Sequence, residues 1–107
     1  LKNELGLDFE LRRIFVDERE INIYGAEDDT CIIGEATVRL GTNLIQEFEE
    51  KIEALKRIKP ELINPKTIKV IYTDYAVPNA LELAEKHEIW VLNWKGDLTP
   101  RKIIKSS

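Results

Sequence analysis

The stretch from Thr67 to Trp94 restricts the fold more than any other part of the chain. Thr67 to Thr73 reads Thr-Ile-Lys-Val-Ile-Tyr-Thr, β-branched and apolar enough for a strand. Pro78 suits the first turn of a helix whose apolar positions are Val77, Ala80, Leu81 and Ala84. Ile89 to Trp94 is a further strand. Strand, helix and strand within about thirty residues make a βαβ unit. Its two strands are expected to be parallel, with a right-handed crossover.

Upstream, the periodicity changes. Phe9 to Val16 is apolar with charges interleaved, and Glu18 to Gly25 alternates. In that second segment Ile21 and Ile23 are expected on one side, Glu20, Asn22 and Tyr24 on the other. After the polar turn Ala26 to Asp29, Thr30 to Leu40 carries small or apolar residues at Ile32, Gly34, Ala36, Val38 and Leu40. Its alternate positions are Cys31, Ile33, Glu35, Thr37 and Arg39. These three segments predict an antiparallel meander. A helix should follow, capped by Asn43 with Gln46 three residues on, or by Thr42. Leu44, Ile45, Phe48, Ile52, Leu55 and Ile58 form its apolar stripe, and Pro60 stops it. The fold class expected is α/β: a three-stranded antiparallel meander, then helix, strand, helix, strand, giving a mixed central sheet flanked by helices.

At 107 residues the chain is one domain with one modest core. The domain is expected over residues 1–95, with a polar tail at 96–107 that lies loose or packs outside the core. Leu1 to Gly6 is expected to end a helix begun upstream, and a chain without Met is expected to belong to a longer or processed protein. No apolar run approaches the length of a membrane span. One cysteine and one histidine, Cys31 and His87, exclude a disulfide framework, a cysteine zinc site and a His pair. They point to a cytoplasmic setting. Abundant Ile, Glu and Lys with no Met follow the bias of proteins from hot environments.

Net charge is −4, which opposes general binding to a polyanion unless basic residues gather on one face. Arg12, Arg13 and Arg39 are the candidates nearest the meander. Cys31 is expected to be a small strand residue and His87 a residue at a helix end. Trp90 and Trp94 are expected to serve core packing or a subunit interface.

The polar face of the meander is where chemistry could reside. Glu20 and Asn22 sit on one strand, Glu35, Thr37 and Arg39 on the next. Carboxylate and amide oxygens are hard ligands suited to Mg²⁺ or Mn²⁺, and a metal so held can activate water beside a phosphate. The plainer alternative is a solvated hairpin face with Glu–Arg pairs across the strands.

The segment Glu20-Ile21-Asn22-Ile23-Tyr24-Gly25, a polar turn, then Ile33-Gly34-Glu35-Ala36-Thr37-Val38-Arg39, resembles the core of the PD-(D/E)XK nuclease superfamily. It is more closely similar to an archaeal group in which this fold follows a long coiled coil. The resemblance covers nearly the whole chain and implies a restriction-endonuclease-like core. It implies that Glu35 is a metal ligand and that Glu20 matches the acidic residue two before the catalytic Asp. The catalytic Asp position holds Asn22 and the catalytic Lys position holds Thr37, so a charge is missing from each. Glu20, Asn22 and Glu35 are thus the expected metal set, with Mg²⁺ or Mn²⁺ as cofactor if the site is active. Arg39 is the expected replacement cation. Two functions follow as expectations. One is a nuclease-fold domain with an eroded metal site, associated with DNA. The other is a non-catalytic dimerisation or protein-interaction module attached to a coiled coil. The two replacements favour an inactive domain and a homo-oligomer, with no small-molecule substrate and no membrane partner.

Overall fold

A computed structural model describes residues 10–100 and 103–105. The helical turn expected at Leu1 to Gly6 lies outside them. Strands β1 (Arg12–Val16), β2 (Arg19–Glu27) and β3 (Thr30–Leu40) form the antiparallel meander. Helix α1 (Thr42–Ile58) leads through a short 3-10 turn, Pro60–Leu62, to β4 (Lys66–Ala76). Helix α2 (Pro78–Lys86) then leads to β5 (Ile89–Asn93), followed by β6 (Gly96–Asp97) and β7 (Ile104–Lys105). The sheet order is β1-β2-β3-β4-β5-β6, with β7 against β4. β3, β4 and β5 run parallel, as their helical crossovers require. The result is a mixed α/β fold with two helices among the described residues.

Both helices form because one face of each is apolar. α1 buries Ile45, Phe48, Ile52, Ala54 and Leu55 against Ile33, Ile71, Ile89 and Val91 of the sheet, and α2 adds Ala80 and Ala84. Each large side chain so buried contributes about 1.5–3 kcal/mol. The other side of the sheet has its own cluster of Ile32, Ile68, Val70, Trp90 and Leu92. β3 is consequently buried on both faces from Thr30 to Glu35. Gly34 is required at this depth: a Cβ there would lie 2.7 Å from the Val70 carbonyl oxygen and 2.5 Å from its Cγ1.

Three expectations need correction. α1 is capped by Gly41, and no side chain bonds its free amides, so Asn43 lies inside the helix. β3 extends to Leu40, which leaves only Gly41 in extended geometry to turn the chain. Second, β2 does not alternate throughout. Ile21 and Tyr24 both enter the helix-side core. The pairing with β1 steps from Ile14↔Ile21 to Arg12↔Tyr24, so two steps on β1 face three on β2. This is a β-bulge at Asn22 and Ile23. Third, the first part of the tail, residues 96–99, packs against the sheet and does not hang loose. β6 pairs with β5. The buried Thr99 hydroxyl donates to the Ile89 carbonyl and accepts from the Val91 amide, both at 2.7 Å.

Candidate functional site

The β2–β3 ladder runs from Glu27↔Thr30 to Ile23↔Gly34 and goes no further. Beyond that point side chains fill the gap between the strands, and Asn22 is at its centre. Its backbone amide donates to Glu35 Oε2 at 2.9 Å, and its Nδ2 donates to Glu20 Oε2 at 3.0 Å. Its Oδ1 accepts the Ala36 amide at 3.4 Å. The bulge makes this possible by turning one β2 residue out of the regular ladder.

Glu20 and Glu35 meet different surroundings. Ile21 enters the core under α1, so its neighbour Glu20 looks to the other side of the sheet. There it faces the exposed Phe15 across the ladder and pairs with Arg13 Nε at 2.9 Å. Glu35 is on the helix side and only 5 % exposed. Its Oε1 receives Lys51 Nζ of α1 at 2.5 Å. Thr37 is half-buried, and its hydroxyl donates to the Arg39 carbonyl at 3.2 Å. Arg39 stacks its guanidinium over Tyr75, 5.7 Å from the ring centre. Glu20, Asn22 and Glu35 therefore form a connected chain of hydrogen bonds. Thr37 and Arg39 bond elsewhere.

The cation beside Glu35 is Lys51, a charge expected to lie mostly off the apolar stripe of α1. A signal was present. Lys51 lies three residues after Phe48 and four before Leu55, so it shares their face of α1. A lysine on a core-facing stripe needs an acidic partner, and Glu35 is that partner. A second pair lies nearby: Lys69 Nζ contacts both oxygens of Glu49, at 2.8 and 3.1 Å. His87, at the C-cap of α2, stands 3.7 Å from the same carboxylate.

The remaining candidates have structural surroundings. Cys31 is buried, with Thr67 Oγ1 at 3.5 Å and the Asn64 amide donating to its sulfur at 3.4 Å. Arg12 lies over Tyr24 and Arg13 is held by Glu20, so neither forms a basic patch with Arg39. Trp90 is fully buried and its indole donates to Asp97 at 2.9 Å, whereas Trp94 is 73 % exposed.

As arranged, these donors do not fit a divalent cation. Both Glu35 oxygens are engaged, one by an ammonium group. The two carboxylates of the chain are balanced by Arg13 and Lys51, which leaves no net negative charge to hold an ion. Among the described residues, no three His, Cys, Asp or Glu side chains gather as a metal would require.

Residues 1–101 match the model of DUF8196, described as a domain of unknown function. No curated protein and no solved structure matches the chain.

Proposed function

The chain belongs to the DUF8196 family, and we propose that it is a non-catalytic interaction domain built on a restriction-endonuclease-like core. In this reading the strand gap that would hold a metal in a PD-(D/E)XK nuclease has become a charge-neutral structural link. The observation that carries the reading is the Glu35 carboxylate, with one oxygen on Lys51 and the other on the Asn22 amide. A carboxylate so placed stabilises the junction between α1, β2 and β3 and has no free oxygen for an ion. The net charge of −4 and the dispersal of Arg12, Arg13 and Arg39 onto separate partners argue against DNA as the main ligand.

A second reading, weak phosphodiester cleavage, is favoured by Lys51. It supplies beside Glu35 the positive charge that Thr37 lacks. One experiment separates the two. Duplex, branched and single-stranded substrates are incubated with Mg²⁺ or Mn²⁺, with Glu35→Ala and Lys51→Ala as controls. The interaction-domain reading expects no cleavage by any of the three proteins. Metal-dependent cleavage abolished by both substitutions would establish the second reading in its place.

A further inference from the structure

The parallel strands end at one rim of the sheet, and most of the exposed large apolar side chains are found there. Phe15 is the penultimate residue of β1, Val38 and Tyr75 lie near the ends of β3 and β4, and Tyr72 pairs with Leu92 near the end of β5. Trp94 occupies the two-residue turn between β5 and β6. These are five of the nine large apolar side chains left exposed among the described residues. Such concentration on one rim marks a docking surface, whereas scattered exposure would need no explanation.

The rim is also built of the residue types that dominate interface energetics. Arg39 lies over Tyr75 at 5.7 Å and Lys95 over Trp94 at 5.1 Å, so each cation is already held against an aromatic ring. Trp, Tyr and Arg are the residues enriched at interface centres. Trp94 has no packing role that would explain a tryptophan at a turn: it is 73 % exposed, while Trp90 supplies the core.

The charges indicate the occupant. Arg39 and Lys95 share the rim with the exposed Asp74 and the half-buried Glu20. A polyanion or strongly acidic partner would meet those carboxylates and a chain of net charge −4. A surface bearing both signs around an apolar centre is complementary to itself when rotated by a two-fold axis. We propose that this rim is an isologous interface, and that its occupant is a second copy of the chain. The proposal rests on the reading of the domain as non-catalytic, because the rim adjoins the Glu20–Asn22–Glu35 link and a second copy would cover it.

The test is sedimentation equilibrium of the full chain, with Trp94→Ala, Val38→Lys and Arg39→Glu variants. All three side chains are exposed, so thermal melts should show the variants folded like the parent. The expected result is a dimer with a dissociation constant on the order of micromolar, weakened about ten-fold or more by Trp94→Ala. Val38→Lys should leave a monomer at the concentrations where the parent is dimeric. A parent that stays monomeric up to about 1 mM overturns the proposal. So does a dimer that all three substitutions leave intact, or a monomer whose rim variants lose affinity for a single-stranded oligonucleotide. None of these outcomes bears on metal-dependent cleavage, which tests the underlying reading separately.

Discussion

Lys51 of α1 and Glu35 of β3 form an ion pair beneath the helix, with 22 % and 7 % of their side-chain surfaces exposed. It fixes the position of α1 over the strand gap and satisfies a carboxylate that would otherwise be buried with its charge unpaired.

Removing either partner should be costly. Lys51→Ala or Glu35→Ala is expected to lower stability by about 2–3 kcal/mol, because each leaves an opposite charge without a partner. The double variant should lose less than the sum of the two. Urea denaturation of all four proteins gives the coupling energy, and additive losses would show that the pair contributes nothing.

Asn22→Asp tests whether the gap can still be made into a cation site. The new carboxylate would lose the hydrogen bond to Glu20 and stand between two others. In chelator-treated buffer the variant should be less stable by about 1–2 kcal/mol. Mn²⁺ should raise its melting temperature and leave that of the parent unchanged. Equal stabilisation of both proteins would contradict the neutral-link reading.

Tyr24 gives a pH dependence. Burial, then the nearby Cys31, raises its phenol above the ordinary value of 10.0, and Arg12 partly offsets them. The unfolded chain therefore ionises first as pH rises, so this group's contribution to stability falls above pH 10.0. Tyr24→Phe should remove that part of the alkaline decline. At neutral pH it should cost about 1 kcal/mol through the lost bond to the Leu62 carbonyl. Denaturation midpoints on either side of pH 10.0 provide the check.

Gly34→Ala should destabilise the sheet by about 1–3 kcal/mol, since the added methyl group meets the Val70 backbone in a core buried on both faces. Chemical denaturation measures this directly. A neutral result would mean that β3 and β4 can move apart more easily than their packing indicates.

The meander, the βαβ unit and the C-terminal end of α1 were legible because each rests on a local pattern: alternation, an apolar stripe, a proline stop. The bulge at Asn22 and Ile23 was not, because it depends on which β1 residues face β2, and Glu18 to Gly25 alternates cleanly in sequence. The same limit hid the site's charge balance. Glu20, Asn22 and Glu35 could be picked from the strands that carry them, but Lys51 becomes their neighbour only when α1 folds back across β3. The cap at Gly41 was not legible because a good capping pattern at Asn43 competed with it, while β3 runs to the core residue Leu40 and leaves only Gly41 to turn the chain.

The Thr99 hydroxyl closes the Ile89 carbonyl and the Val91 amide of β5, the Leu98 and Thr99 amides close the Val91 carbonyl, and Gly96 and Asp97 pair with the end of the same strand. On a ribosome these groups emerge before the residues that satisfy them. Until the next few residues leave the exit tunnel, β5 presents a bare strand edge, which is the form most prone to pair with another nascent chain. Residues 96–99 thus have a job in time as well as in space: they seal the edge of β5 against misassembly soon after that strand is made.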